Sequence, residues 1–451
     1  MAENRHSPLK FHHFSAYGLA SIGKVAVEML LQLYLFDFYT RLLGLSPILA
    51  GSAFAIAIIW DAVSDVIVSA ALMHARKRKL LYTTVIFFGS VILAISAYML
   101  FAIGLGESQL RLFLQLLFAY ILVNTGMTLV DLPQTSLSSE LTPQSDERNK
   151  LLGFRLGMSI LGLMIGSALP GLLLKGDLDA AVAASRTDSG AVIAVVVVVS
   201  SVFTATGLRK RDRISTEVRE TEIPSFKEAV AVFNQEDFRK ILYASLIAAV
   251  GRTINSALAL IYYRLVLNLS EKSVTQIIFP VFTLSIVLSI PLWVQLSKRY
   301  GKARPAWMSV GALGLMGIIA YPILPQDMVW PVLIVSVVGG TFCGAVFLVD
   351  SMITDLIDQD EENSGKRKES LFFAIQKSTV KISRAIAFIF VGSCLEIFDI
   401  NVADAAAGPS EQWIIIGLFG FAVGLCFIAS SYYLRKTEII FNQKHIQGEA
   451  L

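Results

Sequence analysis

The chain has 451 residues, of which 55% are hydrophobic and only 16% charged, with a formal net charge of +3 at pH 7. Soluble globular domains carry about 25% charged residues, so this composition excludes an ordinary soluble domain and points to a multi-pass membrane protein. The near-balanced charge gives no support to a nucleic-acid partner, and the bilayer itself is the expected surround.

Apolar segments long enough to cross about 30 Å of hydrocarbon recur twelve times, near 14–39, 48–72, 80–104, 110–138, 151–174, 190–208, 238–267, 274–297, 305–324, 329–355, 370–398 and 411–434. The polar start, Met1 to His13, lacks a cleavable-leader pattern, and the first apolar segment holds Lys24 and Glu28. It is expected to remain as a helix. Residues 192–199 (Val-Ile-Ala-Val-Val-Val-Val-Val) have strand-like composition. A lone span in lipid must satisfy its own backbone, which makes this one helical too.

Polar residues from Arg209 to about Asp237, with an amphipathic piece at Ser225–Phe233, separate six spans from six. The expected organisation is an N-terminal bundle over 1–208, a cytoplasmic linker over 209–237 and a C-terminal bundle over 238–451. Basic turns at Arg76–Lys79 and Lys298–Arg304 occupy corresponding places in the two halves, which suggests an internal duplication.

Arg76 to Lys79, Arg209 to Arg211, Lys298, Arg299, Lys366 to Lys368, Arg435 and Lys436 all fall on one side of the alternating topology. The opposite loops hold only Arg41, Arg111, Lys175, Arg186 and Lys272. Positive loops face the cytoplasm, so both termini are expected there. Cys343, Cys394 and Cys426 lie in apolar runs without metal-site spacing and read as small core residues.

An ionised group at the bilayer centre costs about 2.5–3.5 kcal/mol on insertion scales, so charges within spans normally face a cavity or a partner. Span two places Asp61, Ser64 and Asp65 on one face, at i, i+3 and i+4. Two carboxylates one turn apart repel unless a cation or proton lies between them. Span four adds Thr128 and Asp131 on one face, followed by Pro133, which is expected to kink the helix. Oxygen donors from two helices suit a monovalent cation or a proton; the bland alternative is a network that merely locks the helices. Lys24 and Glu28 are spaced as an intrahelical pair. Span eleven carries Lys377, Lys381 and Arg384 as one stripe, and Arg252 lies in span seven. Lys381 is expected to face the carboxylates of the first half until a cation takes its place.

At these residues the chain resembles the glycoside–pentoside–hexuronide:cation symporter family of the major facilitator superfamily, to which the melibiose permease belongs. The resemblance runs through Phe38-Tyr39-Thr40 and Gly44-Leu45-Ser46, Trp60 to Asp65, Asp131-Leu132-Pro133, Glu147-Arg148, Arg155, Asp355 to Asp358, Gly365 to Glu369, Gln376 and Lys381. It implies an all-α membrane protein with twelve transmembrane helices in two six-helix bundles, working by alternating access. It implies a cation site at Asp61, Ser64, Asp65, Thr128 and Asp131, with the three aspartates as metal ligands if Na⁺ is used. It further implies substrate contacts at Lys24, Asp131, Arg155 and Gln376, coupling through Lys381, and gating charges at Asp355, Asp358 and Arg367.

The resemblance breaks at three places: Val25 replaces a sugar-binding aspartate, Thr135 a stacking aromatic and Val66 a proline. The implied activity is symport of a sugar, glycoside or uronide with Na⁺, Li⁺ or H⁺ across the cytoplasmic (inner) membrane, by a monomer with no bound cofactor. The basic residues Lys24, Arg155, Arg252 and Lys381 suit an anionic solute. A lysolipid cargo and a non-transporting receptor on the same scaffold are the alternatives. The five histidines sit at termini or loops, and no hydrolase or zincin motif occurs, which argues against an enzyme.

Overall fold

The computed structural model describes residues 9–77, 80–102, 108–142, 144–214, 226–365, 368–404 and 407–438. Arg78, Lys79 and the expected gating residue Arg367 lie outside these. Among the described residues the structure is helical, with no strand. Eleven helices are long and apolar enough to cross a membrane: α1 (Phe11–Leu35), α2 (Pro47–Arg76), α3 (Tyr82–Phe101), α4 (Gln109–Ser138), α5 (Asp146–Leu172), α6 (Asp179–Asp212), α7 (Glu236–Val266), α8 (Glu271–Tyr300), α9 (Ala303–Ile323), α10 (Val329–Ser364) and α12 (Pro409–Arg435). A further 29-residue helix, α11 (Glu369–Ile397), carries Lys377, Lys381 and Arg384. The chain divides into two compact units, Met1–Thr221 and Glu222–Leu451. A short amphipathic helix, Phe226–Phe233, begins the second.

The valine-rich run is helical, as an isolated span must be, and α6 extends well beyond it at both ends. Its first turns include Arg186, fully buried with its guanidinium 4.3 Å from the centre of the Tyr34 ring. A cation inside an apolar helix end had made that stretch resemble a loop. In α4 the helix continues through Pro133 to Leu141.

The two units repeat one packing scheme. In the first, α1 packs on α5 and α6, α3 on α6, and α2 on α4; in the second, α7 packs on α11 and α12, α9 on α12, and α8 on α10. The corner after the first helix of each unit shows the repeat at atomic detail. Leu43 N–H donates to Phe38 O and Leu45 N–H to Tyr39 O; 224 residues on, Leu267 N–H donates to Tyr262 O and Leu269 N–H to Tyr263 O. Each corner needs a residue in the left-handed region, supplied by Gly44 at φ 72° and by Asn268 at φ 54°. These residue types tolerate that conformation best.

Extending the same 224-residue offset sets Asp61 against Ser285 and Asp65 against Ser289. The two helix seams at these positions are built differently. Between α8 and α10 the backbones come close: a methyl on Gly344 would lie 1.9 Å from Ser289 Oγ and 2.9 Å from Ile286 O. Between α2 and α4 polar side chains meet at these positions, and that seam holds the carboxylates.

Candidate functional site: a carboxylate–hydroxyl seam in the first unit

Three rungs of hydrogen bonds tie α2 to α4. Asn124 Nδ2 donates to Ala57 O at 2.9 Å, and Trp60 Nε1 donates to Thr125 Oγ1 at 3.0 Å. One turn further, Thr128 Oγ1 lies 2.9 Å from Asp65 Oδ1 and 3.5 Å from Asp61 Oδ1. The i, i+4 spacing puts both aspartates over the same α4 residue, because helical side chains four apart stack on one face. Thr128 is 4% exposed, while Asp61 and Asp65 are half-buried. Ser64 is buried as well, and its hydroxyl donates to Asp61 O at 3.1 Å, within its own helix.

A threonine has one hydroxyl hydrogen, so it can satisfy one carboxylate at a time. The two carboxylates and the hydroxyl oxygen form a compact set of hard oxygen donors. Such a set takes a monovalent cation or a proton and gives little purchase to a soft metal.

Asp131 belongs to a different cluster. Its Oδ1 accepts from Lys24 Nζ at 3.0 Å and from Arg155 Nη2 at 2.7 Å, joining α1, α4 and α5. Lys24, Asp131 and Arg155 side chains each remain about one-fifth exposed. Thr135 completes the arrangement: its hydroxyl accepts from Arg155 Nη1 at 2.9 Å and donates to Asp131 O at 2.8 Å. Two cations meet one carboxylate, and Glu28 adds a second negative charge near Lys24. Among the described residues no group of three or more His, Cys, Asp or Glu side chains is placed to hold a metal ion. Asp61 and Asp65 are brought to one hydroxyl; Asp131 sits with the basic pair one turn further along α4. Lys24 bonds to Asp131 and not to Glu28, the partner its spacing suggested.

In the second unit Gln376 is 9% exposed and donates to Asp350 Oδ1 at 2.7 Å, linking α11 to α10. Asp355 Oδ1 accepts from Lys302 Nζ at 2.6 Å. Asp358 follows on α10, and Lys381 is half-buried on α11.

Sequence reasoning missed Asp350, although a carboxylate inside an apolar run is the signal that had singled out Asp131. It also treated Arg76 as a loop anchor. Arg76 is 5% exposed, donates to Asp212 Oδ1 at 2.9 Å and to Glu140, and so draws together the ends of α2, α4 and α6. Arg41 is likewise buried between Asp37 and Asp179.

Comparisons place the chain in a family. The chain is 23% identical to the sodium-dependent lysophosphatidylcholine symporter 1 of Mus musculus, over 74% of this chain and 66% of that protein. It is 23% identical to the isoprimeverose transporter of Lactiplantibacillus pentosus, over 97% of this chain and 92% of that one. The crystal structure of the nucleoside transporter NupG superposes with a TM-score of 0.63 at 13% identity, covering 93% of this chain and 99% of the other, a likeness of fold. The model of the family described as MFS/sugar transport protein matches residues 16–439, and the chain therefore belongs to this family of major facilitator membrane transporters.

Proposed function

We propose that this protein is a cation-coupled symporter that moves a sugar, glycoside or uronide across the cytoplasmic membrane by alternating access, with its termini and basic loops on the cytoplasmic side. The observation that carries the reading is the seam at Asp61, Asp65 and Thr128: two carboxylates converge on one hydroxyl inside a membrane-spanning pair of helices. Na⁺, Li⁺ or H⁺ relieves the repulsion between those carboxylates, so occupancy changes how tightly α2 and α4 are held. Asp131 sits on α4 one turn from Thr128, with Lys24 and Arg155 bound to it. A solute hydroxyl or carboxylate competes for the same donors, which gives cation and solute a common helix through which to couple.

The basic pair favours a solute with an acceptor-rich or anionic group. Lys381 is assigned the coupling role, Asp355, Asp358 and Arg367 the gating role and Gln376 a solute contact, all on the resemblance already described. A lysolipid is the second reading. It is favoured by Thr135, which holds Arg155 at the place where an aromatic would stack on a sugar ring.

The test is uptake into proteoliposomes loaded and bathed with defined cations, across a panel of neutral glycosides, uronides and lysolipids. Accumulation of one class that depends on a Na⁺, Li⁺ or H⁺ gradient is expected. Equal accumulation with no cation gradient, for every class, overturns the reading.

A further inference from the structure

At one end of the second unit, cations collect that have no carboxylate partner. Several other cations among the described residues are paired with carboxylates: Lys24 and Arg155 with Asp131, Arg41 with Asp37, Arg76 with Asp212, Lys302 with Asp355, Lys368 with Asp360. Where α8 and α12 end and α9 begins, Arg299, Arg304, Arg435 and Lys436 are exposed and rest on aromatic rings instead. The guanidinium carbons of Arg299 and Arg304 lie 5.3 Å and 5.8 Å from the centre of the same Tyr300 ring. Arg435 lies 5.4 Å from Trp307, and Lys436 Nζ 4.4 Å from Tyr432. None of these four cations has a carboxylate partner among the described residues. The patch contains one acid, Glu438, which accepts a hydrogen bond from Trp307 Nε1 at 2.9 Å.

The bare cations crown apolar stripes. On α9, Arg304 continues into Met308, Leu315, Ile319 and Ile323, all exposed and spaced along one helix face. On α12, Lys436 is preceded by Tyr432, Leu425 and Phe421, exposed in the same way. The two helices pack together, and Ser431 Oγ donates to Trp307 O at 2.7 Å, which fixes the charged end of one against the charged end of the other. Exposed apolar stripes of a membrane-spanning helix meet acyl chains, so their cationic ends stand at the level of the headgroups.

We propose that Arg304, Arg435 and Lys436, with Arg299 beside them, form a binding site for an anionic glycerophospholipid. Its phosphate would lie between the cations and its acyl chains along the stripes of α9 and α12. Charge complementarity selects an anionic over a zwitterionic headgroup. The aromatic rings keep the cations extended, so little side-chain entropy is lost on binding. On the orientation proposed above, the site faces the cytoplasmic leaflet; lipid binding itself is independent of that orientation and of transport.

The experiment uses the full chain, purified and reconstituted in nanodiscs with defined fractions of phosphatidylglycerol in phosphatidylcholine, and reads lipid bound per protein by native mass spectrometry after release. Each cation near an anionic surface strengthens binding roughly fivefold. Arg304→Gln with Lys436→Gln is therefore expected to weaken phosphatidylglycerol retention by more than tenfold and to leave phosphatidylcholine unchanged. Lys272→Gln, a charge loss at the other end of the unit, is expected to change neither. Three results would each overturn the proposal: retention unaffected by the double variant, retention lost equally in Lys272→Gln, or displacement of the lipid by millimolar inorganic phosphate. A particle of twice the protomer mass that the double variant halves would assign the patch to a second copy of the chain, and overturn it as well.

Discussion

Thr128 gives its single hydroxyl hydrogen to Asp65, at 2.9 Å, rather than to Asp61, at 3.5 Å. Both carboxylates converge on this hydroxyl, and a cation held beside it would draw on each of them. Replacing Asp61 by Asn is therefore expected to raise the cation concentration for half-maximal uptake by at least about tenfold, the loss of one charge-assisted contact worth about 1.5–3 kcal/mol. Uptake at fixed solute, titrated separately with Na⁺ and Li⁺, checks this. An unchanged half-saturation would remove Asp61 from the cation site.

The hydroxyl can be tested apart from the carboxylates. Thr128→Ser keeps the donor and is expected to retain cation dependence within about twofold. Thr128→Val leaves the shape and removes the donor, costing about 1–3 kcal/mol where a buried group goes unsatisfied. Cation affinity in Thr128→Val should fall by about fivefold to about 150-fold, measured by uptake or by cation-dependent thermal stabilisation. Equal behaviour of the two variants would mean that Thr128 acts by packing alone.

At Asp131, two cations share one carboxylate oxygen, with Lys24 at 3.0 Å and Arg155 at 2.7 Å. Asp131→Asn strands both. Breaking a fully buried pair costs about 3–5 kcal/mol; these side chains remain one-fifth exposed, so about 1–3 kcal/mol is expected. The double variant Asp131→Asn with Arg155→Gln should recover part of the lost thermal midpoint, the non-additivity that marks contacting residues. A strictly additive double variant would show that the pair is not coupled.

Gly344 shows what closes the corresponding seam in the second unit. A methyl there meets Ser289 Oγ at 1.9 Å and Ile286 O at 2.9 Å, so Gly344→Ala is expected to cost more than about 2 kcal/mol. Adding Ser289→Ala removes the nearer obstacle and should restore part of the midpoint. At Gly44 nothing lies within 4 Å of an added methyl, and only the left-handed φ of 72° opposes it. Gly44→Ala should cost about 1 kcal/mol. Thermal unfolding of the three variants in detergent distinguishes a steric from a conformational cost.

The span pattern was legible because the bilayer imposes it: apolar length and backbone self-satisfaction leave little choice. Asp61, Asp65 and Thr128 were legible as a group because helical spacing fixes which side chains share a face. The split of Asp131 from that group was not, since it depends on where α1 and α5 deliver Lys24 and Arg155, and no local spacing carries that. Arg76 and Arg186 misled for a related reason. In a sequence a cation at the end of an apolar run looks solvated, whereas Asp212 and the Tyr34 ring allow these two to be buried. The repeat at Phe38–Ser46 and Tyr262–Ser270 was readable in principle, but it shows only when hydrogen bonds and φ values are aligned alongside the residues.

That repeat also bears on the electrical behaviour of the transporter. Ser285 and Ser289 stand where the first unit has Asp61 and Asp65, so among the described residues these two aligned seams hold one carboxylate pair between them. On the cation site proposed above, one monovalent cation per turnover is expected. With an uncharged solute each cycle then carries one elementary charge, worth about 2.3 kcal/mol per 100 mV, or roughly fiftyfold in accumulation. With a monoanionic solute the same cycle is electrically silent. A potassium–valinomycin potential imposed on proteoliposomes should drive the first and leave the second unmoved, so voltage reports the charge of the cargo.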